Sequence, residues 1–291
     1  MKAQAVLVSY FKSNRLDKSY SPKTQKEYSY WLSRFEEFVK KPIEKVTHED
    51  IIAWKEYLEN QGMSQRTIHL ALIVVKAMYS HLMMNGIISK HPLPQKLSGS
   101  QRKPITYLSF TEVANLLLSN EGHLMRESTC LVLYNCGLRL IELTNRDRLK
   151  WDTMLSLLSI RGKGNIERTI PLGEVPLPTS SIVADLFNVI FKRKRWPWDM
   201  STRNIQLLLS KAGRKARIEK PVTQQILRHT FATHSYALGI DLARVQNRLG
   251  HSDPETTTSH YMSVPTKTLL EDYERAKPLF KKLAPIEIQR F

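Results

Sequence analysis

Apolar residues recur at helical spacing along most of the chain. Ser21-Pro22 supplies an N-cap followed by a proline in the first turn, and Tyr28, Trp31, Leu32, Phe35 and Val39 then fall on one helical face. Thr47 opens a second helix, with Glu49 and Asp50 in its first turn, where a carboxylate meets the positive end of the helix dipole. Ile51, Trp54, Tyr57 and Leu58 form its apolar side. Ser64 opens a third helix through Leu70, Val74, Met78 and Leu82. The pattern predicts an all-α N-terminal domain of about four helices over residues 1–96.

Residues 97–105, LSGSQRKPI, mix small, basic and proline residues, break the periodicity and read as a linker. The second domain, 106–291, opens on a capping box, Ser109 with Glu112, ahead of Val113, Leu116 and Leu117. A longer helix runs from about Arg126 into Cys136. The one clear β signal is a hairpin over 153–172, where TMLSLLSI and ERTIPL flank Gly162-Lys163-Gly164-Asn165. Helical patterning returns around 181–191, 202–217, 224–238, 241–250 and 266–284. The expected fold class is mainly α: a helical N-terminal domain plus an α-rich second domain with a small antiparallel sheet.

Charge adds a partner to this picture. Lysine and arginine total 44 against 27 acidic residues, a formal charge of +17, which points to a polyanion. Residues 1–103 hold 17 basic and 9 acidic residues, leaving 27 and 18, so the two parts carry +8 and +9. Both parts are therefore expected to meet phosphates. Cys130 and Cys136 lie in an apolar helical stretch without zinc-ligand spacing and read as reduced core residues. The N-terminus lacks a secretory pattern and no apolar run of about 20 residues is read as a membrane span, so a cytoplasmic location is expected.

Candidate chemistry sits in the second domain. Separately, CGLRLIEL at 136–143, the GKGN turn at 162–165, QQILRHTFATH at 224–234, RLGHSD at 248–253 and SHYM at 259–262 each read as ordinary surface or core. In order, Arg139, Lys163, Arg228, His251 and Tyr261 resemble the ordered boxes of the tyrosine recombinase (phage integrase) family, over about residues 106–265.

The resemblance implies an enzyme that cuts and rejoins double-stranded DNA, with residues 1–96 as its helical core DNA-binding domain. It implies that Tyr261 attacks a backbone phosphate, forming a 3′-phosphotyrosine and freeing a 5′-hydroxyl. Arg139 and Arg228 are implied to bracket the non-bridging oxygens, where guanidinium offers paired donors that stay charged. Lys163 is implied as general acid, His251 as a phosphate donor and Glu142 as a buttress. The resemblance calls for neither cofactor nor metal, and it implies a tetramer on two paired sites, passing through a Holliday junction.

One position departs from the family pattern. Three residues before Arg228, where the family usually has histidine, this chain has Gln225, which can donate a hydrogen bond but cannot take a proton. Gln225 is accordingly expected to orient the phosphate, while the proton of a tyrosine of pKa ~10 goes elsewhere. His229 and His234 both fit as structural members of a buried helix. The last helix, with Leu269, Tyr273, Ala276, Phe280 and Leu283 on one face, fits docking on a neighbouring subunit nearly as well as on its own domain. The basic run 192–195 fits either phosphate contact or solvation.

The helical domain begins almost at residue 1, which leaves no room for an added arm-binding domain. The chain is thus similar to the simple two-domain Xer-like and transposon resolvase branch, with a role in resolution or integration of a mobile element or replicon. The rival readings are a type IB topoisomerase-like relaxing enzyme and a DNA-binding regulator that has lost catalysis.

Overall fold

The computed structural model describes residues 20–94, 105–162, 166–250 and 265–283. The chain divides into two units, Met1–Lys103 and Pro104–Phe291, each with its own buried apolar cluster.

In the first unit three helices, α1 (Pro22–Val39), α2 (His48–Asn60) and α3 (Gln65–Met84), begin at residues able to cap them. Ser21 Oγ accepts from Thr24 N and Ser64 Oγ from Thr67 N, each at 3.2 Å. Thr47 N donates to Asp50 Oδ2 at 2.7 Å in a capping box. Each cap satisfies a backbone donor that has no partner inside the helix. Phe35 sits at the centre of the core, edge-on to Trp54 at 4.8 Å and Tyr79 at 6.3 Å, geometries that suit the aromatic quadrupole. Tyr57 and Leu70, expected on the apolar stripes, lie partly exposed; Tyr57 stacks on Phe38 at 5.0 Å.

Three of the roughly four helices expected here fall within the described residues. The expectation of no span-length apolar run needs correction. Gln65–Met84 is long and apolar enough to cross a membrane by length and composition, because Arg66 and Lys76 interrupt the run without removing its apolar average. Half of that window is buried in the helical core, through Ile68, Ala71, Val74, Val75, Met78 and Leu82 among others.

The second unit is built round α5 (Leu124–Cys136), every residue of which is buried from Glu127 to Cys136. Helix α4 (Phe110–Asn120) starts at the expected capping box, with Ser109 N donating to Glu112 Oε2 at 2.7 Å. A short helix α6 (Leu140–Leu143) precedes the sheet, and α7 (Ser180–Ile190), α8 (Thr202–Lys215), α9 (Gln224–Ala237), α10 (Leu242–Leu249) and α11 (Thr266–Phe280) follow it.

The sheet has three antiparallel strands rather than the two of a hairpin: β1 (Leu149–Asp152), β2 (Leu157–Arg161) and β3 (Glu167–Pro171), in that order. Strand β1, LKWD, is too short and too charged to show an alternating pattern. Leu158 and Ile160 of β2 and Arg168 and Ile170 of β3 are buried, as period-two alternation requires.

Helix α11 packs on its own domain through Leu269, Ala276 and Phe280, and Thr111 N and Oγ1 both donate to Asp272, at 3.1 and 2.6 Å. Cys130 and Cys136 are free and buried, and burial pushes the Cys130 thiol up to about 12. His234 is fully buried, stacked on Phe110 at 3.5 Å and sharing a 2.9 Å hydrogen bond with Tyr134 Oη, which fits the structural role expected of it. The side chain of Arg146 donates to the carbonyls of Phe191, Arg193 and Lys194, so the backbone of the basic run is tied down while Lys192, Lys194 and Arg195 face solvent.

Two outcomes follow from this packing. A glycine inside a helix normally gains about 1 kcal/mol on becoming alanine. At Gly213 in α8, however, a Cβ would stand 2.6 Å from Val222 Cγ2 and 2.9 Å from its Cβ, and a β-branched neighbour has little freedom to yield. Overpacking costs of about 1–3 kcal/mol therefore win, and Gly213→Ala should lower the urea midpoint. The second outcome concerns acid. Burial pushes His234 down to about 3 from an ordinary 6.5, so between these values the unfolded chain binds a proton that the folded chain excludes. Its contribution to stability is complete above pH 6.5 and is lost as pH falls toward 3. Urea titrations from pH 7 to 4 should show stability falling less steeply in His234→Gln than in the wild type.

Candidate functional site

Helix α5 ends at Gly137, whose φ of +53° is the left-handed conformation that glycine adopts without strain. A side chain there would also collide with Phe231, 2.8 Å from its Cδ1. The chain then turns back through Leu138 and places Arg139 as the extended residue that opens α6. Arg139 N donates to Glu142 Oε2 at 2.7 Å and its Nη1 to Glu142 Oε1 at 3.1 Å. The carboxylate thus fixes both the backbone and the head of the same arginine.

Glu142 is 1% exposed and is held from a second side by Arg168 on β3, whose Nη1 and Nη2 donate to Oε1 and Oε2 at 2.8 and 2.6 Å. Paired parallel bonds of this kind are the strongest arginine–carboxylate geometry. Burial works against the Glu142 charge, but the hydrogen bond and charge of Arg168, with help from Arg139, outweigh it and hold the carboxyl below its ordinary range. Glu142 is therefore ionised at neutral pH and serves as a buttress, as expected.

Arg228, one turn into α9, is 7% exposed and directs Nη1 to the carbonyl of Gly137 and Nη2 to that of Leu249. Arg139 Nη2 donates to Gly250 O at 3.1 Å, and Arg168 Nε to Arg248 O at 2.8 Å. Three arginines from three separate elements thus hold three consecutive carbonyls, 248 to 250, at the C-terminal end of α10. That end is where unpaired carbonyls and the negative pole of the helix dipole favour cations. Gly250 closes the helix at φ +63°, and a Cβ on it would lie 2.9 Å from Arg168 Cδ.

Arg139 and Arg228 are brought together at one helix end, where Arg139 also bonds Glu142. Gln225 lies in the first turn of α9, exposed and three residues before Arg228. Lys163, His251 and Tyr261 lie outside the described residues. Gly162, next to Lys163 in sequence, donates its N–H to Ile166 O at 2.8 Å, and Arg148 Nη1 donates to the carbonyls of Arg161 and Gly162. The neck of the β2–β3 turn is clasped in this way.

Two contributors escaped the sequence reading. Arg168 looks like a surface residue of a hairpin, yet it lies two residues from Ile170 and so on its inward face, the signal that would have found it. Gln224, beside the position that drew attention, donates its Nε2 to Leu138 O at 2.6 Å and steadies the backbone just ahead of Arg139. Among the described residues there is no cluster of histidine, cysteine and carboxylate able to hold a metal ion.

Removing the Glu142 carboxylate would leave the buried Arg168 without its partner, a loss of about 3–5 kcal/mol for a buried pair. Glu142→Ala should accordingly lower the stability of the full-length protein by that order in urea unfolding, with Glu142→Asp intermediate.

The chain is similar to known proteins along most of its length. Residues 107–267 match the model of the phage integrase family, and residues 7–87 match the phage integrase N-terminal SAM-like domain. Tyrosine recombinase XerC of Chlorobaculum parvum is 29% identical over 305 aligned positions, covering 89% of this chain and 90% of the relative. The Tn1549 transposon integrase in complex with transposon right end DNA has the same fold, with a TM-score of 0.67 at 18% identity over 95% of this chain and all of the other. So does a lambda integrase tetramer bound to a Holliday junction, with a TM-score of 0.69 at 14% identity over 89% of this chain and 77% of the other. With its catalytic-domain match covering more than half of its length, and its N-terminal match most of the remainder, the chain belongs to the phage integrase family of tyrosine recombinases.

Proposed function

We propose that this protein is a site-specific DNA recombinase that breaks and rejoins DNA through Tyr261. The observation that carries the assignment of roles is that Arg139 and Arg228 are both held at one helix end, that of α10, while the buried carboxylate of Glu142 is paired bidentately with Arg168. Arg168 answers the charge of Glu142, so Arg139 and Arg228 remain as a surplus of positive charge, which suits a phosphate that gains charge in the transition state. A family member needs that surplus beside its nucleophile.

In the reaction, Tyr261 Oη forms a bond to phosphorus while the bond from phosphorus to the 5′-oxygen breaks. The product is a 3′-phosphotyrosine and a 5′-hydroxyl. Lys163 gives its proton to the leaving oxygen, and the tyrosine proton passes to water, because Gln225 offers no base. Arg139 and Arg228 stabilise the non-bridging oxygens, with His251 and Gln225 adding hydrogen bonds. The phosphotyrosine conserves the energy of the broken bond, so attack by a 5′-hydroxyl from a second strand reverses the step without ATP.

The positive surplus in both residues 1–103 and the remainder supports contact with DNA by both. We infer two protomers on each double-stranded site and a tetramer on two paired sites, exchanging strands through a Holliday junction. The work is resolution or integration of a replicon or mobile element, and it takes place in the cytoplasm, where such DNA resides.

The test uses a duplex that the protein itself selects from a random-sequence library, nicked near the cleaved phosphate so that the covalent product is trapped. Wild-type protein should yield a DNA adduct that peptide mapping places on Tyr261, and Tyr261→Phe should yield none. Lys163→Ala should form the adduct about 10²–10⁴-fold more slowly. A selected duplex that is bound tightly and never cleaved would identify a DNA-binding protein without catalysis. Relaxation of supercoils without exchange between two sites would identify a topoisomerase.

A further inference from the structure

Arg139 and Arg228 act at the phosphate, whereas Arg168 is spent on Glu142. Yet Arg168 is the most enclosed of the described contacts of Glu142, with a side chain 5% exposed against 37% for Arg139. Its guanidinium spends both terminal nitrogens on Glu142 and its Nε on the carbonyl of Arg248. It therefore touches both surfaces that Arg139 uses: the carboxylate that receives Arg139 Nη1, and the helix end whose Gly250 carbonyl receives Arg139 Nη2. Gly162 packs on the same pair, since a Cβ there would lie 3.5 Å from Arg168 Nη1 and 3.8 Å from Glu142 Oε1. Gly250 also packs on Arg168, since a Cβ there would lie 2.9 Å from its Cδ and 3.5 Å from its Nε. A guanidinium this buried, bidentate to an acid and bonded through Nε to a backbone carbonyl, is held in one pose.

Resting on the recombinase reading, we propose that Arg168 is a positioning residue for catalysis: through Glu142 and the end of α10 it sets the pose in which Arg139 meets the phosphate. Lysine in its place keeps a positive charge but cannot span both carboxylate oxygens and the Arg248 carbonyl together in the fixed fork of a guanidinium. Glu142 then turns, and Arg139, which has the freer head, follows it.

The experiment separates this from a general structural role by chemistry at phosphorus. Wild type, Arg168→Lys and Arg139→Lys, all full length, are compared on the selected nicked duplex with an ordinary phosphodiester and with a methylphosphonate at the scissile position. The methylphosphonate lacks one anionic oxygen and so needs less arginine. On the phosphodiester Arg168→Lys should be slower than wild type by about 100-fold, the order of loss that a 1 Å misplacement brings. On the methylphosphonate it should come within about tenfold of wild type, as Arg139→Lys should, when less charge remains to be stabilised. An equal deficit on both substrates, or an Arg168→Lys rate like wild type on the phosphodiester, would overturn the proposal. Absence of any wild-type adduct would instead count against the recombinase reading.

A second measurement needs no cleavage. The Nε–H resonance of Arg139 in 15N-arginine-labelled protein, assigned by its loss in Arg139→Lys, should move in Arg168→Lys. A double variant, Glu142→Met with Arg168→Met, replaces the buried pair with apolar volume and should fold while showing the same displaced signal. An Arg139 resonance unchanged in both variants would sink the idea, whatever happens to activity.

Discussion

Three guanidinium groups donating to three successive carbonyls at one helix terminus form the joint on which the catalytic unit depends. Arg168, Arg228 and Arg139 come from β3, α9 and the turn before α6, and they converge on this helix end. A bare helix end has unpaired carbonyls and a negative pole, so three cations there satisfy the backbone and the dipole at once. The same contacts hold the cations beside one another, against their mutual repulsion, with Glu142 as the single buried counter-charge among them. The helix end thus organises the arginines as much as the arginines cap the helix.

This joint accounts for several local features that otherwise look unrelated. Gly137 is needed because α5 must end in a left-handed turn under Phe231 for Arg139 to reverse toward α10. Gly250 is needed because the side chain of Arg168 lies across it. Gln224 and Arg148 each hold a carbonyl or two of the turns that carry Arg139 and the β2–β3 neck. The polar machinery is therefore mounted on backbone carbonyls, which move only if an element moves. The exception is Glu142, whose carboxylate takes four hydrogen bonds from Arg139 and Arg168.

Most of the fold was legible because its helices begin with strong local signals. Ser21, Thr47, Ser64 and Ser109 each cap the helix that the sequence assigns to them, and α7 to α11 fall within a few residues of their expected spans. Strand β1 was not legible, since four residues with two charges carry no alternation that rises above a loop. Arg139, Arg228 and Glu142 were legible through ordered motifs. Arg168 was not, because an arginine in a short hairpin is ordinarily solvent-facing and only the register with Ile170 turns it inward. The docking of α11 on its own domain needed three dimensions: an apolar stripe does not name its partner, whereas Asp272 bonded to Thr111 does.

That last contact also bears on where the proposed nucleophile can go. Tyr261 stands eleven residues beyond Gly250 but only four before Pro265, where α11 is about to begin. An extended chain gains at most about 3.3–3.6 Å per residue, so the sequence between Tyr261 and Pro265 is a tether of roughly 14 Å at most and that back to Gly250 is nearly three times as long. The Thr111–Asp272 bonds tie α11 to the first turn of α4, so the shorter of the two tethers is anchored by α4 and not by the arginines.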